Sequence, residues 1–380
     1  MKTKLLVTLA LVAFAISAIA CAPAPTPVPT AAPPTAAPAN TAAPAATNTT
    51  APTAVPPTAT AKPVRNVIYG LPVAPPNLVH LGPYVAQELG YFKDVSLNVE
   101  FKTFESGVAS FRALVSGGLD VTGTSSDPLF PAIGQGGGIH AIGAYAPRLS
   151  VVMMASPDVK TAADLKGKKV GCTGCSGDFA DVMAQLVLAS AGLKREDVTM
   201  VNVTTAGRVA ALVSGQTNAH ALHAEQYYAA LEQKSDLVAL AKMWEVAPKW
   251  WYSAFVASDD AVKKNPELYI DFMTAVLKAQ RWMYKPENKV QIIQIARKYN
   301  PGISEAAYGK GYDDLAKGGI WTVNDGCPRE FVQYTIDKKV ELKSEGVSKD
   351  LKYEQICDLS IVNEAIKRLG GPLTGDSRWY

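Results

Sequence analysis

Two stretches of the chain, SFRALVSGGLDVTGT at residues 110–124 and RVAALVSGQTNAHAL at residues 208–222, share one layout. Each has apolar residues at helical spacing that run into the same five letters, ALVSG, and a glycine at that position is typical of a helix end. Each then continues as a short apolar run typical of a strand. The recurrence of this helix-to-strand unit in two distant parts of the chain predicts two lobes that are built alike.

Strand-like and helix-like segments alternate on both sides of each stretch. Strands are predicted at VRNVIYGL (64–71), LNVEFKTF (97–104), IHAIGAY (139–145), SVVMMAS (150–156), VTMVNV (198–203) and WWYSAFVAS (250–258). Such alternation favours largely parallel sheets covered by helices on both faces. From residue 265 onward the pattern is helical. We therefore predict an α/β protein with lobe 1 at 64–150 plus 258–380, lobe 2 at 151–257, a cleft between them and a helical C-terminal tail.

The N-terminus has the layout of an export signal that ends at a cysteine. Lys2 and Lys4 precede an uncharged apolar run, and small residues stand just before Cys21. This order is typical of a secretory signal, and Ala18-Ile19-Ala20-Cys21 resembles the lipobox of bacterial lipoproteins. We predict a signal peptide at 1–20 and a lipid on Cys21. An uncleaved anchor, or cleavage without a lipid, are the alternatives.

The segment 21–63 after the signal is rich in Pro, Ala and Thr, and it has no aromatic residue, Leu or Ile. Such a composition cannot bury enough apolar surface to offset the entropy of ordering. It predicts a tether that holds a folded domain away from the outer face of the cytoplasmic membrane. A binding protein, a surface enzyme and an adhesin all fit such an anchored domain.

Charge and cysteine content narrow the class of protein further. The formal net charge is only +3 over the 380 residues, and no basic run suggests a nucleic-acid partner. In an exported protein the four cysteines beyond Cys21 permit two disulfides. We expect Cys327 to pair with Cys357, while Cys172 and Cys175 either form a small ring or remain thiols.

Five segments, taken in order, resemble a known family. They are VAQELGYFKDVSLNVEF, ALVSGGLDVTGTSSD, TAADLKGKKVG, ASAGLKREDVTMVNV and ALVSGQTNAHAL. They are similar to landmarks of the substrate-binding proteins of ABC importers, in the SsuA/THI5-like (NMT1-like) group. The resemblance covers Val64 to about Tyr299. It implies a type II periplasmic-binding-protein fold, a small molecule trapped between the lobes, and a membrane permease with its ATPase subunit as partners. We expect a monomer without a cofactor.

Candidate ligand-binding residues of the first lobe follow its predicted strands, because ligands of such folds bind beyond the carboxyl ends of strands. Asn77, His80 and Tyr84 follow the first strand, and Glu105 follows the second. Asn77 could instead be only a helix cap. Ser125 and Ser126 follow the third strand, where hydroxyl groups and a helix N-terminus suit an anionic or carbonyl oxygen.

Candidates of the second lobe occupy the equivalent loops. Ser176 and Gly177 could offer backbone N–H groups, and His223 and Glu225 follow the strand of the second ALVSG unit. Trp251 stands where the chain returns to the first lobe, and it could stack on a ligand or serve only as packing. The aromatic residues favour a heterocycle such as riboflavin or a pyrimidine precursor of thiamine. An alkanesulfonate, taurine or nitrate is the alternative, although no strongly basic pocket is evident.

Two chemically different interpretations have weaker support. His220 and His223 could bind a metal, but no third ligand is near in sequence. Cys172-Thr-Gly-Cys175 lies between a strand and a helix, as a redox C-x-x-C does, which makes an exported thiol oxidoreductase the alternative of another class. No Gly-x-Ser-x-Gly, phosphate-binding loop or paired-carboxylate motif indicates hydrolysis. The sequence therefore favours a binding protein over an enzyme.

Overall fold

The structure is a computed structural model that describes residues 62–175, 177–376 and 378. The predicted signal at 1–20, Cys21, nearly all of the tether at 21–63 and the candidate Ser176 lie outside the described residues. Everything below therefore concerns the region that sequence analysis predicted to be the two-lobed domain.

The first sheet has five strands in the order β2-β1-β3-β10-β4. Their bounds are β1 Arg65–Leu71, β2 Leu97–Thr103, β3 Val121–Ser125, β4 Ile139–Ala146 and β10 Ser253–Ser258. Strand β1 is parallel to β2 and β3, whereas β10 is antiparallel to β3 and β4. Every residue of β3 is buried, as expected for a strand with both faces covered.

The second sheet repeats this arrangement in the order β7-β6-β8-β5-β9. Its strands are β5 Val152–Ala155, β6 Lys169–Cys172, β7 Thr199–Asn202, β8 Ala219–Leu222 and β9 Val238–Lys242. Strand β6 is parallel to β7 and β8, and β5 is antiparallel to β8 and β9. In each sheet the antiparallel strand is the one that the chain forms on arriving from the other lobe.

The described helices flank the sheets and form the C-terminal tail. Their bounds are α1 Gly82–Glu88, α2 Tyr91–Asp94, α3 Gly107–Val115, α4 Ser126–Gly134, α5 Phe179–Ser190, α6 Arg208–Val213, α7 Ala224–Gln233, α8 Met243–Val246, α9 Asp259–Lys264, α10 Pro266–Met283, α11 Lys289–Tyr299, α12 Glu305–Gly318, α13 Arg329–Glu341, α14 Tyr353–Ile356 and α15 Ser360–Arg368. Short 3-10 turns lie at Leu78–His80, Ala162–Leu165, Arg195–Asp197, Thr205–Gly207 and Pro286–Asn288.

The internal repeat found in the sequence is present in the structure. The first ALVSG stretch forms α3 and β3, and the second forms α6 and β8. Strands β3 and β8 hold the same central place in their sheets, next to the antiparallel strand. The α/β fold with two lobes and a helical tail, as predicted, is confirmed.

Two details of the predicted lobes differ in the structure. Strand β10 begins at Ser253 and lies in the first sheet, so the chain returns to lobe 1 a few residues before the predicted boundary at 257. Helix α12 belongs to the tail, yet it packs on α7 of the second lobe as well as on the first. Helical periodicity marks an apolar face, but it does not say which lobe covers that face.

The cysteine pairing matches one of the predicted alternatives for Cys172 and Cys175 and differs from the prediction for Cys327 and Cys357. Cys172 and Cys175 form a disulfide, whereas Cys327 and Cys357 are buried free thiols. Both free thiols belong to a hydrophobic cluster of the first lobe. Burial, followed by the hydrogen bond with Cys357, raises the pKa of Cys327, so the thiol form is favoured there.

Candidate functional site

The cleft between the two sheets closes on a cavity of about 30 Å³. It is lined from both lobes by Pro72, Val73, His80, Glu105, Ser106, Gly107, Ser125, Tyr145, Thr173, Asp178, Phe179, Arg208, His223 and Tyr252. Most of these residues follow strands β1, β2, β3, β6 and β8, or begin the helices after them. The carboxyl ends of parallel strands thus face each other across the cavity, where ligands of such sheets bind.

Arg208 is the basic side chain in the described lining of this cleft. It is the first residue of α6, and only 5% of its surface is exposed. Its Nη2 donates to Thr173 Oγ1 at 2.9 Å, while its Nε has no partner. Within the described part of the chain, Arg208 forms no salt bridge. A buried guanidinium without a paired anion is costly, so this position suits the anionic group of a ligand.

Asp178 lies near Arg208 without neutralising it fully. Burial raises the pKa of Asp178 to about 7, although Arg208 acts in the opposite direction. The carboxylate caps α5 by accepting from the backbone N–H of Asp181 at 3.0 Å and from that of Thr173 at 3.2 Å. Near neutral pH a substantial fraction of Asp178 is therefore protonated, and the cleft retains positive charge on Arg208.

Aromatic rings from both lobes form the wall of the cleft. Phe179 and Tyr252 have ring centroids 4.5 Å apart, and His80 and His223 meet edge to face at 5.7 Å. The Nε2 atom of His80 lies 3.1 Å from the hydroxyl of Tyr145. Flat faces with polar edges of this kind suit a planar ligand.

Both cleft histidines are neutral at physiological pH. Burial, and then the charge of Arg208, lower the pKa of His80 to about 3. Burial, His80 and Arg208 lower the pKa of His223 well below its usual value. A neutral imidazole offers one donor and one acceptor. The Nδ1 atoms of both rings have no partner, so each can bond to a ligand or to water.

Four of the predicted site residues line the cavity: His80, Glu105, Ser125 and His223. Ser125 also caps α4, because its hydroxyl accepts from the Asp127 N–H at 3.4 Å. The backbone carbonyl of Glu105 accepts from Thr205 Oγ1 of the second lobe at 3.5 Å. Glu105 and Thr205 therefore bridge the lobes at the edge of the cavity.

Three further predicted residues lie near the cleft but behind its lining. The amide of Asn77 is buried and unpartnered, and it makes no cap hydrogen bond to the turn that it precedes. The hydroxyl of Ser126 is buried without a partner as well. Glu225 accepts from the Leu78 N–H at 3.4 Å across the lobes, and burial raises its pKa to about 7.

Tyr84 and Trp251 lie away from the predicted site. Tyr84 packs on Phe101 and Tyr299, with ring centroids 4.7 and 4.2 Å away. Trp251 is fully buried in the first lobe, where its ring stacks on Phe130 and its indole N–H donates to the Gly326 carbonyl at 2.9 Å. An indole satisfied in this way stabilises the core and is not available for stacking on a ligand.

Gly177 also has another role than the predicted one. Its N–H donates to Asp181 Oδ2 at 2.9 Å, and its φ of +75° explains the need for glycine. Its donor is therefore already used within the second lobe. The backbone N–H of Gly177, which was predicted to bind a ligand, is therefore not among the described groups that line the cleft.

Sequence analysis missed Arg208, Thr173, Phe179 and Tyr252. Arg208 is a single basic residue in its stretch of sequence, and its hydrogen-bond partner Thr173 belongs to another strand-end loop. One signal was available: Arg208 begins the helix of the second ALVSG unit, directly after a strand and its turn. Tyr252 is adjacent to the predicted Trp251, and neighbouring residues of an extended segment point to opposite sides.

The described residues contain no group of three or more His, Cys, Asp or Glu side chains that could hold a metal ion. His220 packs against Gly171, where an added Cβ would lie 2.0 Å from the ring. Burial lowers the pKa of His220 to about 3, which fits a neutral core histidine. None of the described helices combines the length and apolar composition that a membrane crossing requires.

The two sheets and the cleft between them define a two-lobed α/β protein with the type II periplasmic-binding-protein fold. The family model described as NMT1/THI5 like matches residues 77–289, more than half of the chain. The protein therefore belongs to the NMT1/THI5-like family, and the resemblance noted in the sequence is confirmed.

Similar proteins support the same assignment. A provisionally named binding protein of Brucella abortus is 28% identical over 219 residues, which cover 57% of this chain and 66% of that protein, just under two thirds. A solved structure from Bordetella bronchiseptica has a TM-score of 0.70 at 21% identity, covering 80% of this chain and 98% of that one. The periplasmic aliphatic sulphonate binding protein SsuA of Escherichia coli has a TM-score of 0.60 at 23% identity, covering 78% and 98%. At these identities the structural matches show the shared fold.

Proposed function

We propose that this protein is the solute-binding component of an ABC importer. It captures a small molecule between its lobes and delivers it to a membrane permease with its ATPase subunit. The observation that carries this proposal is the buried Arg208, which faces a cavity lined by both lobes and lacks a salt-bridge partner among the described residues. The cleft offers a solute the cation of Arg208, hydrogen-bonding groups such as His80 and His223, and aromatic faces.

The ligand class that this geometry supports best is a small organic anion such as an alkanesulfonate or taurine, with nitrate as the smallest member. The guanidinium of Arg208 can bond an oxyanion at two points. The E. coli protein of similar fold is an aliphatic sulphonate binding protein, and a sulphonate is an anion of this kind. The cavity of about 30 Å³ is far smaller than a typical ligand pocket, so even a small anion enters only when the lobes part.

The second candidate is an aromatic heterocycle such as a pyrimidine precursor of thiamine, or riboflavin. The observation that favours it is the aromatic wall formed by His80, Phe179, His223 and Tyr252. Phe179 and Tyr252 are in contact, so a ring inserted between them must separate them. Riboflavin, the larger molecule, needs the wider opening.

The anchoring of the protein is part of the proposal. A lipid on Cys21 and the tether at 21–63 would hold the domain at the outer face of the cytoplasmic membrane, where a monomer meets its permease. The first lobe would comprise 64–150 and 258–380, and the second lobe 151–257, except that strand β10 belongs to the first lobe. The competing thiol oxidoreductase is disfavoured because Cys172 is fully buried, whereas a reactive cysteine needs access.

A thermal-shift screen of the purified full chain tests the proposal and separates the two ligand classes. The panel comprises short alkanesulfonates, taurine, nitrate, riboflavin and thiamine pyrimidines. A ligand present at a hundred times its dissociation constant adds about 2.7 kcal/mol of stability. A shift with sulfonates or taurine supports the anion site at Arg208, and a shift with a pyrimidine or flavin alone supports the aromatic site. The absence of any shift across the panel would contradict both ligand assignments.

A further inference from the structure

Helix α12 touches both lobes. On the first-lobe side, the Tyr312 hydroxyl donates to the Met283 carbonyl at 2.8 Å, and the Tyr312 ring packs on Trp321 with centroids 5.7 Å apart. The indole N–H of Trp321 donates in turn to the Leu78 carbonyl at 3.0 Å, in the turn beside the cleft. This side of α12 is therefore fixed to the first lobe.

The other side of α12 contacts α7 of the second lobe. Ser304, at the N-terminal cap of α12, donates to Glu232 Oε2 at 2.7 Å. Asp314 Oδ2 accepts from the Tyr228 hydroxyl at 3.0 Å and also from the Tyr227 hydroxyl. Residues 304, 307, 311 and 314 recur at helical spacing and so share one face. Polar bonds thus lie at both ends of this face.

The middle of the same face requires a glycine. A Cβ added to Gly311 would lie 2.8 Å from the backbone N of Glu225 and 3.0 Å from its Cα. Backbone atoms of a helix cannot move aside as the end of a flexible side chain can. The contact between α7 and α12 is therefore a close approach of two helix backbones at the first turn of α7.

That first turn is also where the second lobe meets the cleft. His223, which precedes α7, lines the cavity, and Glu225 accepts from the Leu78 N–H of the first lobe. A shift of α7 away from α12 would thus move His223 and break the bond between Glu225 and Leu78.

We propose that α12 and α7 form an interlobe latch, made of Ser304, Gly311 and Asp314 on α12 and Tyr227, Tyr228 and Glu232 on α7. The latch favours the closed arrangement of the lobes with or without a ligand. Its use in solute capture rests on the function proposed above. The latch itself can be tested on the protein without ligand, so the two proposals can fail separately.

The test is hydrogen exchange, measured by mass spectrometry on the ligand-free full chain, for Gly311→Ala. Overpacking against the Glu225 backbone should raise exchange about tenfold or more in α7 and at Leu78–His80. The matched control is Gly309→Ala in the same helix, where the nearest atoms, Ile293 Cδ1 and Lys289 Cε, lie at 3.9 Å. Because both changes replace a helical glycine by alanine, they share the same gain in helix propensity.

A second pair of variants tests the polar end of the latch. Asp314→Ala removes the acceptor of both tyrosines, whereas Asp313→Ala removes only the partner of Lys289, whose Nζ lies 2.7 Å from Asp313. We expect faster exchange in α7 for Asp314→Ala alone. Unchanged exchange in α7 for both Gly311→Ala and Asp314→Ala would overturn the latch. A rise of the same size in β1 would overturn it too, since it would indicate a loss of overall stability.

Discussion

Replacing Arg208 by glutamine should abolish tight binding of an anionic ligand while the protein stays folded. In the ligand-free protein Arg208 makes one described hydrogen bond, from Nη2 to Thr173 Oγ1. Its loss costs about 1.5–3 kcal/mol, but the same change removes the cost of burying an unpaired charge, which is several kcal/mol. We therefore expect the free energy of unfolding without ligand to fall by less than about 1 kcal/mol, or to rise.

The liganded protein should respond in the opposite way. Removing one partner of a buried, hydrogen-bonded charge pair costs about 2–5 kcal/mol, which is a loss of affinity of about 30-fold to several thousand-fold. Isothermal titration calorimetry with the sulfonate or taurine that gives the largest thermal shift measures this loss. Arg208→Lys should recover only part of it, because an ammonium lacks the planar fork of the guanidinium.

The matched control is Arg112→Gln in α3, the helix of the first ALVSG unit. Arg112 is exposed and should leave the affinity within about twofold of the original. If Arg208→Gln bound the anion as tightly as the unaltered protein, the assignment of the anion site to Arg208 would be wrong. Circular dichroism on each variant excludes unfolding as the cause of lost binding.

Four further predictions follow from the cleft and its surroundings. Tyr252→Leu should weaken a stacked heterocycle by about 1–3 kcal/mol, and unchanged calorimetric affinity for such a ligand would remove Tyr252 from the site. Trp251→Ala should instead lower the free energy of unfolding by about 3–5 kcal/mol, because it empties a core position. Chemical denaturation measures this loss of stability. A change in ligand affinity with unchanged stability would place Trp251 in the cleft. Burial raises the pKa of Asp178 to about 7, so the folded protein keeps a proton on this carboxyl group that the unfolded chain has already released. The contribution of Asp178 to stability is therefore lost as the pH rises from about 4 to about 7. Asp178→Asn should therefore gain stability relative to the unaltered protein over that range in melting scans, and a constant difference would refute the shift. Alkylation under denaturing conditions without reductant, followed by peptide mapping, should label Cys327 and Cys357 but not the disulfide pair; unlabelled Cys327 would show a bridge that the structure lacks.

The fold could be predicted because its signals are local. The ALVSG units end at glycines and lead into short apolar strands, and each unit specifies its own helix-to-strand connection. The recurrence of this unit was enough to predict that β3 and β8 occupy equivalent positions in their sheets, and no long-range contact had to be known. The pairing of β10 with the first sheet was harder to predict, because a strand carries no mark of the lobe that it joins.

The site could be predicted only as far as strand ends specify it. His80, Ser125 and His223 were found because the carboxyl ends of parallel strands meet at one edge of a sheet. Aromatic content does not show which of two neighbouring rings faces the cleft. The sequence therefore pointed to Trp251, whereas Tyr252 lines the cavity. Arg208 was missed because its environment is made by Thr173 and Asp178, which are distant in sequence, and burial is a property of the fold.

Arg208 and the latch oppose each other in the protein without ligand. Closing the lobes buries the guanidinium of Arg208 without a salt-bridge partner among the described residues, which disfavours closure, while the contact of α12 with α7 favours it. Apparent affinity falls in proportion to the fraction of protein that is competent to bind, so the balance of these two terms affects capture even before a ligand is present. An anion changes the balance, because it pairs with Arg208 only when the lobes close around it. Arg208→Gln should therefore lower the exchange of the Leu78 N–H in the ligand-free protein, and Gly311→Ala should raise it. Since the two residues act on different contacts, the double variant should show roughly the sum of both effects on a free-energy scale, and equal exchange in all three variants would show that closure depends on neither.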